Sequence, residues 1–179
     1  MRFHGKKLCY LVALSLLLGL LLSGSLLFSA KEASAHELEA NGKVIVVSLS
    51  KQWLYAYQDG TEVYNAAVLT GRPALPTPTG TYHVFAKLSP TTFYSPFPPG
   101  SPYWYPPTYI NYALEWKAGG YFLHDSWWHS VYGPGTNGWH YDPVDGWQWG
   151  SHGCVSMPVT AAAWLYSWAP IGTTVQINP

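Results

Sequence analysis

"KVIVVSLSKQWLYAYQDGTEVYNAAVLT", residues 43–70, decides the fold class. Residues 43–49 are β-branched and apolar, and Trp-Leu-Tyr-Ala-Tyr at 53–57 continues in the same idiom, so both read as strands. Asp59-Gly60 suits a type I′ turn, which needs positive φ at both central residues, and residues 61–70 return as a third strand. Further along, 71–80 ("GRPALPTPTG") is a loop in which proline interrupts any central strand, and 81–87 alternates again. Residues 89–107 carry seven prolines and many aromatics, an irregular excursion that either lines a groove or packs onto the body. Two more strands are expected at 109–116 and 120–124, the second ending at His124. Residues 125–150 hold five tryptophans among glycines with no clear period, which predicts a long loop or lid. Pro158 suits a first helical turn, and Ala161, Ala162, Trp164, Leu165 and Trp168 fall at helical spacing before Ala169-Pro170. One short amphipathic helix is therefore expected, starting just after Cys154, and 173–177 closes the chain as a strand.

The N-terminus indicates the compartment. Arg2, Lys6 and Lys7 precede an apolar run from Leu8 to Ala30, followed by Ala33-Ser34-Ala35, a small-x-small site for cleavage before His36. Residues 1–35 are read as an export signal or, if uncleaved, an N-terminal membrane anchor, and 36–179 as one domain. That domain carries five basic and eight acidic side chains, a net of −3. No basic patch is available to neutralise phosphates, so a nucleic-acid partner is disfavoured.

Once Cys9 leaves with the signal, Cys154 in "GSHGCVSMP" (150–158) is the one remaining cysteine, and an exported chain with one cysteine has no internal disulfide. A nucleophilic thiol needs a base, a group that orients the base, and donors for the oxyanion. His124 at a strand end and His152 are candidates for the base. The N–H groups of Gly153 and Cys154 are candidate oxyanion donors, and the helix start is expected to lower the thiol pKa. Two other readings stand beside this one. A lone cysteine is commonly a small buried hydrophobe. His124, Asp125, His129, His140, His152 and Cys154 also include enough ligand types for zinc, although no pair has a strong zinc spacing.

Ser151-His152-Gly153-Cys154-Val155, with His124 upstream at the end of an aromatic strand, resembles the signature of the L,D-transpeptidases, the YkuD family of cell-wall cross-linking enzymes. Residues 44–84 are similar to that family's opening: a strand, a Q-x-L-Y-x-Y strand, a hairpin, then T-G-x-P followed by T-P-T-G. The resemblance implies a mainly β fold, an antiparallel β-sandwich with one short helix after the cysteine. It also implies an exported, extracytoplasmic enzyme, expected here as a monomer, that acts on peptidoglycan stem peptides without a metal or cofactor. Cys154 matches the nucleophile that attacks the carbonyl before the terminal D-alanine. His124 matches the general base, and Asp125 the position whose backbone carbonyl orients it. Ser151 and His152 match the pair before Gly-Cys, and Gly153 and Cys154 the oxyanion hole. Trp127, Ser156 and Tyr82 are the candidate substrate contacts.

The chain departs from the family pattern in two places. The stretch from His124 to Ser151 is longer than usual, which leaves His129 and His140 as alternative bases, and Ser156 stands where Asn or Arg is usual. The tryptophans of that stretch are open to three readings: a lid that excludes water, a surface that stacks on sugars, or packing of a long loop. Beside the transpeptidase stand an L,D-carboxypeptidase or endopeptidase using the same thiol with water, and a non-catalytic wall-binding module.

Overall fold

A computed structural model describes residues 42–179, so the export signal or anchor expected at 1–35 lies outside the described residues. The β-branched opening forms β1 (Lys43–Ser48), which pairs with β2 (Trp53–Gln58), and β2 pairs with β3 (Thr61–Ala67). The β2–β3 turn takes φ of 51° at Asp59 and 78° at Gly60, as the type I′ reading requires. β13 (Thr174–Asn178) lies on the other side of β1, and β4 (Gly80–His83) completes a five-stranded sheet in the order β3-β2-β1-β13-β4. Alternate residues of β1 and β13, namely Ile45, Val47, Val175 and Ile177, face the core.

The second sheet has the order β12-β9-β8-β5, from β5 (Ala86–Leu88), β8 (Ala113–Lys117), β9 (Tyr121–Asp125) and β12 (Val155–Met157). Two small hairpins lie apart from it: β6 (Thr91–Phe93) with β7 (Thr108–Ile110), and β10 (His140–Asp142) with β11 (Gly146–Gln148). The segment 81–87 is not one strand. Val84 donates to Thr173, just before β13 of the first sheet, and Phe85 to Glu115 of the second, so the chain changes sheets between them. The segment 109–116 is likewise split into β7 and β8, and the Asp125 carboxylate holds the break by accepting from Asn111 Nδ2 at 2.8 Å and Tyr112 N at 2.7 Å.

Two pairings are parallel, β1 with β13 and β9 with β12. Alternation along a strand does not encode direction; long crossovers permit parallel pairing, and here the whole Trp-rich segment joins β9 to β12.

The helix, α1 (Val159–Trp168), begins after β12 and not directly after Cys154. It has apolar residues on nearly every side, with Thr160 and Ser167 exposed, and buries Ala161, Ala162 and Leu165 in a core shared with both sheets. Trp164 stacks on Tyr64 at 4.1 Å and on Trp168 at 5.3 Å. Two sheet lysines satisfy the carbonyls at its C-terminus. Lys87 Nζ donates to Tyr166 O (2.6 Å) and Ala169 O (2.8 Å), and Lys43 Nζ donates to Trp168 O (2.8 Å). Both ammoniums also lie over aromatic rings of the helix, so each combines dipole neutralisation with a cation–π contact. Lys87→Met should therefore cost about 1–3 kcal/mol of stability, read by urea denaturation, because it strips charged donors from two carbonyls. An unchanged midpoint would show that water replaces the ammonium at no cost.

Candidate active site

The parallel register of β9 and β12 builds the site. Ser156 pairs with His124, and Cys154 sits in the bend that enters β12, beside the start of β9. The thiol is steered by the start of β9: Phe122 N donates to Cys154 Sγ at 3.4 Å, and Sγ donates to Gly120 O at 3.4 Å.

His124 is buried, and its Nδ1 lies 2.8 Å from the carbonyl oxygen of Asp125. A carbonyl can only accept, so Nδ1 carries the proton of this bond and Nε2 is left as an acceptor. Ser156 Oγ, also buried, lies 3.3 Å from that Nε2, in position to donate its hydroxyl proton. Burial pushes the His124 pKa down, opposed by the carbonyl and charge of Asp125, so the ring is a neutral base at pH 7.

The Cys154 thiol differs from the sequence expectation. Burial pushes its pKa up to about 11, with the Phe122 N–H opposing and the Glu115 charge adding. The expected helix effect is missing for a geometric reason. β12 and Pro158 separate Cys154 from the first turn of α1, and dipole influence falls off within a turn. The residue nevertheless keeps partial exposure and lines an open cleft.

The turn entering Cys154 is held by Ser151, whose Oγ donates to Cys154 O at 2.6 Å and accepts from Gly153 N at 3.1 Å. The Gly153 N–H, expected as an oxyanion donor, is thus already engaged. Gly153 sits at φ +111°, and a Cβ there would come within 2.9 Å of the Tyr121 ring, so only glycine fits. Gly150 is equally constrained, since a Cβ would meet Thr70 O at 2.5 Å. Arg72 ties the same turn down, its Nε donating to Gly150 O (2.9 Å) and Ser151 O (3.2 Å).

The segment 125–150, expected as a loop, contains the β10–β11 hairpin, and the missed signal was Asp145-Gly146 between two alternating runs. Asp142 anchors it. The buried carboxylate accepts from Ser130 N, Ser130 Oγ, Val131 N and Val144 N at 2.7–2.9 Å. Burial alone would raise its pKa, but these donors together hold it well below the usual carboxylate range. Next to it, Gln148 Nε2 donates to His129 Nδ1 at 2.8 Å, and burial keeps His129 neutral with a pKa of about 4.

A cleft of about 600 Å³ joins these parts. Cys154, His124, Ser156, Ser151 and His152 all line it, as do Trp127, Trp128, His129 and Arg72. The proline-rich excursion does both things left open for it. Phe93 and Tyr105 line the cleft, while Phe97, Tyr103 and Tyr105 surround the His152 ring. Burial, with Arg72 adding, holds His152 down to about 4. Trp127 is largely exposed at the rim and donates Nε1–H to Tyr109 O. Tyr82 is a correction: it does not line the cleft, because its ring packs edge-on against Trp116 at 4.8 Å and its hydroxyl donates to Thr79 O. Ser156 does line the cleft, with its largely buried hydroxyl turned to His124 Nε2. His140 lies outside the cleft lining, its Nδ1 3.1 Å from Gly138 O. Among the described residues no group of three or more His, Cys, Asp or Glu side chains gathers at metal-binding distance.

The profile of the YkuD family, the L,D-transpeptidase catalytic domain, matches residues 42–177. No curated protein matches by sequence. Among solved structures, the fold is similar to a mutant of Enterococcus faecium L,D-transpeptidase, with TM-score 0.63 and 27% identity over 76% of this chain and 49% of that one. It is similar to an L,D-transpeptidase from Mycobacterium smegmatis, with TM-score 0.62 and 23% identity over 77% and 59%. It is also similar to Mycobacterium tuberculosis L,D-transpeptidase 3 in complex with a faropenem-derived adduct, with TM-score 0.60 and 23% identity over 77% and 60%. The matched region therefore spans about half to three-fifths of these relatives' length.

Two outcomes follow from the electrostatics. Alkylation of Cys154 by iodoacetamide should keep accelerating as pH rises past 8.5, because the thiolate fraction grows until about 11; a plateau near neutral pH would mean a thiolate–imidazolium pair. The thermal midpoint should fall as pH drops from 6.5 toward about 4, because the unfolded chain protonates histidines that the fold keeps neutral. His129→Gln should make that fall shallower, and an unchanged slope would assign it elsewhere.

Proposed function

Because this chain belongs to the YkuD family of L,D-transpeptidase catalytic domains, we propose that it is a cysteine-dependent acyltransferase acting on peptidoglycan stem peptides outside the cytoplasm. The observation that carries this reading is the gathering of Cys154 and His124 in one cleft, with Asp125 O holding the Nδ1 proton so that Nε2 is left as the acceptor.

The chemistry starts from neutral partners. A turn about the Cα–Cβ bond of Cys154 carries Sγ away from Gly120 O toward His124 Nε2, displacing the Ser156 hydroxyl. Nε2 takes the thiol proton as Sγ attacks the carbonyl that precedes the terminal D-alanine. The oxyanion is met by the Cys154 N–H, since the Gly153 N–H is engaged by Ser151. The C–N bond then breaks, and the imidazolium returns its proton to the departing amine, leaving a thioester on Cys154. An amine from a second stem peptide attacks that thioester, and His124 again accepts and returns the proton as the new amide forms and the thiol is restored. Arg72, the one Lys or Arg side chain lining the cleft, is suited to a substrate carboxylate.

Intact mass of the full-length chain after mixing with a carbapenem tests the acyl-enzyme. One adduct per chain is expected, absent in Cys154→Ala and formed about 100-fold or more slowly in His124→Ala. A well-folded parent that takes no adduct would sink the reading. With stem peptides, D-alanine release that needs an amine acceptor identifies transfer, and release in water alone identifies a carboxypeptidase.

A further inference from the structure

The β10–β11 hairpin is built inside out. Along its strands Trp139, Tyr141, Trp147 and Trp149 alternate with His140, Asp142 and Gln148, and Tyr141 pairs directly with Trp147. In a hairpin lying on a protein body the aromatic set should face inward. Here the inward set is polar: Asp142 is fully buried among five donors, and Gln148 donates to His129. The aromatic set faces solvent, with exposures of 54% at Trp139, 56% at Tyr141, 62% at Trp147 and 45% at Trp149. Core packing therefore does not account for these rings, and four adjacent exposed aromatics form a patch that calls for a partner.

The rings are ordered against one another. Trp139 and Trp147 are nearly parallel, 15° apart with centroids at 5.8 Å; Trp149 lies 5.5 Å from Trp139, and Tyr141 lies edge-on to Trp147 at 5.7 Å. The charge around them narrows the ligand. The sequence has no Lys or Arg after Lys117, and the hairpin's own charges are Asp142 and Asp145, so phosphate-rich polymers and anionic lipid are disfavoured. Flat rings without cations suit the apolar C–H faces of neutral pyranose sugars. The platform is also continuous with the cleft, because Trp149 belongs to the ring cluster and lines the cavity that holds Cys154 and His124.

We propose that this aromatic face is a glycan-binding platform, holding the sugar strand outside the cleft while an attached stem peptide enters it. The link to the stem peptide rests on the function proposed above; sugar binding itself does not. Isothermal titration of the full-length chain with soluble β-1,4-linked N-acetylglucosamine oligomers, a neutral pyranose strand, tests the platform. Trp139→Ala/Trp147→Ala should weaken binding about tenfold or more, and Trp147→Tyr should keep most of it. An unchanged thermal midpoint serves as the fold control, since neither ring is among the buried contacts that anchor the hairpin. Absence of glycan binding by the parent, or equal binding by the double variant, overturns the proposal. So does a double variant that loses phosphatidylcholine-vesicle binding or a concentration-dependent dimer while glycan binding stays put. Failure of the parent to acylate, with glycan binding present and lost in the variant, would remove the proposed reaction and leave the platform standing.

Discussion

Three residues of parallel pairing, Val155–Met157 against Leu123–Asp125, carry the arrangement of the site. Side chains alternate across a strand, so this register sets Ser156 beside His124, and a slip of one residue would turn Ser156 to the other face and shift the bend that carries Cys154. The pairing is short, and the structure supports it from several directions. Leu69 and Ser156 exchange backbone hydrogen bonds at 2.8 Å, Ser126 N reaches Met157 O, and α1 continues from the end of β12 into the core. Cys154 is thus positioned by a ladder that is itself clamped on both sides.

The electrostatic state that results is a resting one. Neutral thiol and neutral imidazole sit in a cleft walled by aromatic rings, and in the proposed reaction neither is charged until a substrate brings a carbonyl for the thiol to attack. Burial raises the cysteine and lowers the histidine, two shifts that both oppose an ion pair. In such a site the protein fixes the orientation of the His124 ring, through Asp125 O at Nδ1 and the Ser156 hydroxyl at Nε2. The usual argument that a catalytic cysteine rests as a thiolate at a helix N-terminus does not apply, because the helix begins one strand too late.

The Trp-rich segment shows how a wall can be built without a core of its own. Asp142 replaces the missing hydrophobic packing with a set of backbone and hydroxyl donors, which leaves the aromatic side of the hairpin free. In the sequence this segment looked aperiodic because its alternation covers only three or four residues per strand, and because aromatic rings are normally read as the inward set. Asp145-Gly146 marked the turn. What was missing was a reason to place the polar side inward.

Much of this protein is determined locally. The β-branched run at 43–49, the Asp59-Gly60 turn, the helix ended by Ala169-Pro170 and the Ser-His-Gly-Cys motif follow from residues adjacent in sequence, where propensity and turn chemistry act. Gly153 belongs to that class as well, since its positive φ is a demand of the chain itself. Tertiary structure decided what depends on distant segments meeting: the parallel direction of β9 and β12, the division of 81–87 between two sheets, the retreat of Tyr82 onto Trp116, and the capture of the Gly153 N–H by Ser151. It also decided the protonation of the site, because desolvation is a property of everything that surrounds a group, and a pKa cannot be read from the residue's neighbours in sequence.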